Sequence, residues 1–186
     1  MINETLEGFF NWQFLYDEMV SIAKDGEFII EIGVWEGRSA VYLAEKIKES
    51  GKDITVIGID PYVYGLLGNQ GDANEMHRLE KLRKTVDQNG LSKILYNLVA
   101  KSEDAARLIS KLTNGNKIAG VFIDGDHSFE GCAKDIKLYD VLVRKGGIVA
   151  GHDYTHGEWQ GVVDAVNQYY KPKEFEVVDN IWISRK

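Results

Sequence analysis

The sequence predicts an α/β fold, Rossmann-like and doubly wound, with a mostly parallel seven-stranded sheet and a C-terminal antiparallel hairpin. Three observations predict it. Short apolar runs alternate with amphipathic helical patterns along the chain. The first run, Phe28–Ile32, ends in Gly33, and Gly37 follows just before a helical pattern. The last two runs flank Asp179-Asn180, a tight-hairpin signal. Five apolar strands joined through helices imply a sheet covered on both faces.

Each element follows from its residues. A helical segment is expected over Leu6–Ala23, within an N-terminal piece 1–25. Its Phe9, Phe10, Trp12 and Phe14 exceed what one amphipathic face needs, so it is also a candidate homodimer surface. Phe28–Ile32 is the first strand and Ser39–Glu49 a helix with Ala40, Val41, Ala44 and Ile47 on one side. Ile54–Ile59 is the second strand, ended by Asp60-Pro61. Glu75–Asn89 is a helix closed by Asn89-Gly90, and Ile94–Val99 the third strand. Glu103–Leu112 is a helix, Ile118–Ile123 the fourth strand and Phe129–Val143 a helix. Gly147–Ala150 is the fifth strand and Gly161–Tyr170 a helix, followed by the hairpin strands Phe175–Val178 and Ile181–Ser184. Residues 62–74 form a glycine-rich loop after a strand's carboxyl end, suited to a lid or substrate loop.

The 186 residues suit one domain, 1–186. A net charge of -7 without a Lys/Arg cluster argues against nucleic acid, whose binding needs phosphate neutralisation. The single cysteine, Cys132, allows no internal disulfide and fits a reducing compartment. No apolar run reaches membrane-span length, and Met1-Ile2-Asn3-Glu4 lacks a basic start, so no membrane partner and no signal peptide are expected. The expectation is a cytoplasmic protein that acts on a small molecule.

The glycine turn narrows the ligand. A dinucleotide turn places a second glycine where the pyrophosphate approaches. Trp35 stands there, and an indole blocks that approach. Asp60, ending the second strand, is placed to accept the hydroxyls of a ribose. A ligand with a nucleoside and no pyrophosphate fits both features.

The run Glu31-Ile32-Gly33-Val34-Trp35-Glu36-Gly37-Arg38-Ser39-Ala40-Val41 resembles the first motif of class I S-adenosylmethionine-dependent methyltransferases. It is most similar to the catechol O-methyltransferase type. The resemblance implies that Gly33, Trp35 and Ser39 line the methionine part of the cofactor, that Glu31 and Gly37 also belong to the cofactor site and that Asp60 holds the ribose. Ser102 and Glu103, in Val99-Ala100-Lys101-Ser102-Glu103, resemble the third-strand motif that borders the adenine.

Two strand ends carry the chemistry. Asp124-Gly125-Asp126-His127 follows the fourth strand and His152-Asp153-Tyr154 the fifth. These strands are neighbours in a doubly wound sheet, so Asp124 and Asp153 emerge side by side. Carboxylates that close repel unless a cation or proton intervenes. A divalent metal, Mg²⁺ or Mn²⁺, held by Asp124 and Asp153 is the economical expectation, with His152 as third ligand and Asp126 or His127 as alternatives to it. A metal lowers the pKa of a hydroxyl and holds it in line with a sulfonium methyl. His127 and Asp126 are the candidate bases, and Asp124 also borders the cofactor. The phrase Ile123-Asp124-Gly125-Asp126-His127-Ser128 with Gly151-His152-Asp153-Tyr154 resembles small bacterial macrocin-type sugar O-methyltransferases. Tyr154 departs from that pattern, because Asn or Asp is usual there and tyrosine is a poor Mg²⁺ ligand. The implied activity is O-methylation of a small acceptor, a sugar or an aromatic. A metal-free site with His127 as base, and a non-catalytic nucleoside-binding domain, remain open alternatives at this stage. A nicotinamide-dependent oxidoreductase is disfavoured by Trp35.

Overall fold

The structure, a computed structural model, describes residues 2–62, 75–113 and 117–186. All of the expected 62–74 loop except Tyr62 therefore lies outside the described residues. In chain order the helices are α1 Gln13–Ile22, α2 Arg38–Ser50, α3 Glu75–Gln88, α4 Ser102–Thr113, α5 Phe129–Asp140 and α6 Gln160–Tyr169. The strands are β1 Glu27–Ile32, β2 Ile54–Asp60, β3 Leu95–Val99, β4 Ile118–Ile123, β5 Val143–Gly151, β6 Glu176–Val178 and β7 Ile181–Arg185. They form one sheet in the order β3-β2-β1-β4-β5-β7-β6. The first five are parallel, and β7 is antiparallel to both β5 and β6.

Strand alternation sends apolar side chains to both faces, which is why the runs read as continuously apolar. Ile29, Phe122 and Ile148 share one core with Met19 of α1, Leu43 of α2 and Leu82 of α3. Ile30, Val121 and Val149 share the other with Ile109 of α4, Ile136 of α5 and Val162 of α6. The chain passes from β3 back across to β4, so the order reverses between β1 and β4. In such sheets ligands bind in the crevice outside the carboxyl ends of the strands at that reversal.

Two stretches differ from the sequence reading by more than one residue at an end. The N-terminal helix begins at Gln13, not Leu6, after a short 3₁₀ turn at Ile2–Thr5. Gly8 has φ +126°, and its carbonyl accepts from Arg38 Nη1 at 2.6 Å. A Cβ on Gly8 would lie 3.2 Å from the Trp35 ring. Residues 6–12 thus run over the glycine turn as an irregular strap rather than a helix. The other difference is Val143. It fits the helical spacing of α5 but pairs with Ile118 in the sheet, so α5 ends at Asp140 and β5 begins early.

Candidate functional site

Four strands deliver their last residues in a row along the carboxyl edge. Gly33 N donates to Ile59 O at 2.9 Å, Asp124 N to Ile32 O at 2.8 Å and His152 N to Ile123 O at 3.1 Å. The continued ladder aligns Asp60, Gly33, Asp124 and His152. Gly33 has φ +85°, and a Cβ there would fall 1.9 Å from Asp124 O. Only glycine permits that approach. Three non-glycine residues on the same edge have positive φ: Trp35 at 49°, Tyr62 at 45° and Asp153 at 59°. Strained backbone of this kind concentrates at ligand sites.

Asp60 braces the turn. Its Oδ2 accepts from Val34 N at 3.0 Å and Trp35 N at 2.9 Å, and its Oδ1 accepts from Tyr62 N at 2.9 Å. Three of about four acceptor positions on the carboxylate are then used by backbone. Burial pushes its pKa up, against those bonds. Trp35 is half-exposed at 45%, its ring under the Arg78 guanidinium at 5.1 Å. Gly37, at φ +85°, starts α2, and a Cβ on it would meet the Leu82 side chain at 2.4 Å.

Glu31 and Ser39 are buried against each other. Ser39 Oγ donates to Glu31 Oε1 at 2.6 Å and Tyr16 Oη to Oε2 at 2.8 Å. Burial raises the Glu31 pKa from 4.5 to about 8. The folded protein holds this proton more tightly than the unfolded chain. The stabilisation it gives is full below about pH 4.5 and is lost as pH rises through about 8. Glu31→Gln, a neutral isostere, removes that loss. Wild type should therefore lose about 10 °C more than E31Q in melting temperature between pH 5 and 8, at roughly 1.4 kcal/mol per pH unit and ~2–4 °C per kcal/mol. Parallel melting curves over that range would contradict the assignment.

At the third strand, Ser102 Oγ donates to Asp135 Oδ1 at 2.5 Å, and Tyr139 Oη donates to Ser102 O at 2.7 Å. Burial raises Asp135 to about 6. Glu103 pairs with Lys134 at 3.0 Å on the rim.

Asp124, His127, His152 and Asp153 form one cluster. His127 Nε2 lies 2.6 Å from Asp153 Oδ2 and 3.5 Å from Asp124 Oδ1. His152 Nδ1 lies 3.1 Å from Asp153 Oδ1 and 3.7 Å from Asp124 Oδ1. Contacts with Asp124 and then Asp153 raise His127 to about 9. Burial pulls His152 down, but Asp124 and Asp153 outweigh it and raise it to about 9 as well. Burial pushes both carboxyls up, and the two imidazoles outweigh it, holding Asp124 and Asp153 below the usual range.

Ligand atoms of Asp124, His152 and Asp153 all lie within 4.8 Å of one another. The donor set of two carboxylates and one imidazole suits a divalent ion. His127 Nε2 is buried yet poorly aligned for a hydrogen bond to either carboxylate. A cation among these atoms would satisfy a cluster that is otherwise crowded with charge. The residues fit a metal.

Asp126 and Tyr154 do not join the cluster. Asp126 is exposed, and its Oδ1 accepts from Ser128 N at 2.9 Å. Ser128 in turn caps α5 by accepting from Gly131 N at 3.1 Å. Asp126 therefore braces a helix start. Tyr154 turns its hydroxyl to Asn167 Oδ1 at 3.1 Å, toward α6 and away from the carboxylates.

Other residues at the site carry weak sequence signals. Phe9 on the strap is 67% exposed, its ring 5.6 Å from that of His152, and buried Trp12 lies 4.7 Å from His152 on another side. Trp159, 37% exposed, lies 4.6 Å from the His127 ring. The surplus of aromatics between Phe9 and Phe14 was the only hint of Phe9. Asn180 Nδ2 lies 2.9 Å from His152 Nε2, and nothing but a turn signal marked it.

Comparison with known proteins agrees with this architecture. Residues 30–154 match a family model described as a methyltransferase domain. A protein of Acanthamoeba polyphaga mimivirus is 31% identical over 166 residues, covering 83% of this chain and 68% of that one. Among solved structures, the O-methyltransferase of Bacillus cereus in complex with S-adenosylhomocysteine superposes with TM-score 0.66 at 15% identity, covering 94% of this chain and 78% of that one. A TDP-rhamnose 3'-O-methyltransferase of calicheamicin biosynthesis gives TM-score 0.68 at 16% identity, covering 94% and 77%. Strand order, the glycine turn and the span of the matched segment agree: this chain belongs to the methyltransferase-domain family.

Proposed function

We propose that this protein is an S-adenosylmethionine-dependent O-methyltransferase for a hydroxyl of a small acceptor, assisted by a divalent metal. One observation carries the reading. A paired carboxylate site, Asp124 and Asp153, carries His127 Nε2 at 2.6 Å from Asp153 Oδ2 and adjoins a glycine turn braced by Asp60. S-adenosylmethionine, when bound, supplies an electrophilic methyl group on sulfur. A metal held by Asp124, Asp153 and His152 would supply positive charge that acidifies the acceptor hydroxyl. Residues of this chain do the rest. The remaining acceptor position of Asp60 faces the ribose. Trp35 excludes a pyrophosphate. Glu31, a buried acid at about 8, would lose its proton to solvent when a cation such as the sulfonium ligand binds nearby. His127 takes the hydroxyl proton at Nδ1, while Asp153, against the buried Nε2, holds the resulting imidazolium. Phe9 and Trp159 flank the histidines and suit stacking on a sugar face or an aromatic ring. The nitrogen ligand His152 favours Mn²⁺ over Mg²⁺.

The close His127–Asp153 pair also supports a second reading, a metal-free site in which this dyad alone is the base. No helix among the described residues is long and apolar enough to cross a membrane. This leaves the expected cytoplasmic location as part of the proposal, along with a small acceptor, no nucleic-acid partner and a homodimer, for which Phe10 and Trp12, both buried in this chain, are not available. Calorimetric titration with S-adenosylhomocysteine tests the cofactor. Saturable binding is expected, and no heat at about 1 mM ligand, where even −4 kcal/mol would register, would sink the reading. Chelation with EDTA is expected to abolish methyl transfer in an assay with simple catechol and sugar acceptors. Full activity after chelation would move the assignment to the metal-free dyad.

A further inference from the structure

Asn180 closes the β6–β7 turn, with Asp179 at φ +57° before it. Because β7 pairs with β5, Gly151 facing Trp182, the turn projects past the end of β5 to where His152 emerges. Asn180 O accepts from Tyr154 N at 2.9 Å, which ties the turn to the segment after β5. The side chain then reaches His152 Nε2 at 2.9 Å. Its other end, Oδ1, is buried and without a hydrogen-bond partner.

That pairing has two forms with the same heavy-atom positions, related by a half-turn of the amide. With Nδ2 toward the ring, the amide donates to Nε2. The imidazole proton then sits on Nδ1, which donates to the carboxylates and has no lone pair to offer. With Oδ1 toward the ring, Nε2–H donates to the amide. Nδ1 then presents its lone pair to the space beside Asp124 and Asp153, and the buried Oδ1 gains a partner. In either form the amide group turned away from the ring is buried without a partner, so the choice falls to His152: a cation that takes the Nδ1 lone pair selects the second form. The rings of Trp12 and Phe9 pack against the imidazole at 4.7 and 5.6 Å, which limits its freedom to compensate by swinging.

We propose that Asn180 is a positioning residue for metal binding: its carbonyl accepts from His152 Nε2 and fixes His152 as an Nδ1 ligand beside Asp124 and Asp153. This rests on the metal reading above. Metal-ligating histidines characteristically donate their second ring N–H to such an acceptor, and losing it costs about 10–100-fold in metal affinity. Here a terminal hairpin, not the parallel sheet, supplies that acceptor.

The test is titration of chelator-stripped full-length protein with Mn²⁺, followed by electron paramagnetic resonance of free ion. Asn180→Leu keeps the side-chain shape but removes the acceptor, and should weaken Mn²⁺ about 10–100-fold. Asn180→Asp keeps an acceptor and should bind within about threefold of wild type. His152→Ala weakens binding by itself, and adding Asn180→Leu to it should cost nothing more, because the amide acts only through the imidazole. S-adenosylhomocysteine affinity reports that each variant is folded. Equal Mn²⁺ affinity of N180L and wild type, loss in N180D equal to that in N180L, or a full additive loss in the double variant would each overturn the role of Asn180. No Mn²⁺ binding by wild type itself would overturn the metal reading first. Should N180L not fold, ¹⁵N spectra of the Zn²⁺-loaded wild type decide: a proton on His152 Nε2 supports the proposal, and one on Nδ1 overturns it.

Discussion

His127→Gln is expected to lower the turnover number about 10²–10⁴-fold, the usual contribution of a positioned general base, while leaving S-adenosylhomocysteine affinity within about twofold. The expectation comes from geometry. His127 begins the approach to α5, three residues after Asp124, and its Nε2 sits against the Asp153 and Asp124 carboxylates. It is the imidazole of the cluster that is open to solvent, with 31% of its side chain exposed against 9% for His152. An acceptor can therefore reach its ring, away from the buried Nε2. Glutamine keeps a polar group there but cannot take a proton near neutral pH. The pH profile gives an independent readout. Activity requires the neutral imidazole, so it rises as pH increases through the His127 pKa, and H127Q should lose that limb. Without a cation the carboxylates hold this pKa at about 9. Positive charge on Asp124 and Asp153 offsets the attraction, so the limb should move to lower pH when Mn²⁺ is added. An H127Q enzyme with near-normal turnover would remove His127 from the mechanism.

Gly33→Ala is expected to have the largest effect on folding. The new Cβ would lie 1.9 Å from Asp124 O, a backbone atom on the central strand pair, and the backbone is at φ +85°. Neither conflict can be relieved by a side-chain rotation. Overpacking against backbone together with left-handed strain costs upwards of about 3 kcal/mol, a large share of a typical 5–15 kcal/mol. The melting temperature should fall by about 6–12 °C, with S-adenosylhomocysteine binding lost. Gly37→Ala makes a useful contrast. Its Cβ meets Leu82 side-chain carbons, the nearest at 2.4 Å, and these can move. G37A should be the milder variant. A G33A protein that melts within about 2 °C of wild type, or less affected than G37A, would refute this account of the turn.

The β-α alternation, the seven strands, the terminal hairpin and the two strand ends that carry Asp124 and Asp153 were all legible in the residues. Buried parallel strands leave a strong one-dimensional trace, because both faces must be apolar. Gly33 and Gly37 were legible for a similar reason: a turn that needs positive φ leaves few choices of residue. The pairing of Asp124 with Asp153 followed from adjacency of the fourth and fifth strands.

Where tertiary contacts compete with local pattern, the sequence was a poorer guide. Leu6–Trp12 carries helix-compatible residues, yet Arg38 and Trp35 hold Gly8 in a strap that brings Phe9 to the site. Asp126 stands two residues from Asp124 in a motif that reads as catalytic, but the start of α5 claims its carboxylate. Ser39 and Ser102 lie in ligand-like motifs, and each bonds a buried carboxyl of this chain, Glu31 and Asp135. Asn180 is the furthest case. It lies 28 residues from His152 in sequence and meets it only because β7 folds back beside β5. The sequence by itself determined the layers, the glycine turn and the residues offered at the sheet's carboxyl edge, since periodicity and backbone sterics are local properties. Only the tertiary structure decided which of those polar groups face one another and which are spent on internal bonds, because hydrogen-bond partners are chosen by distance in space.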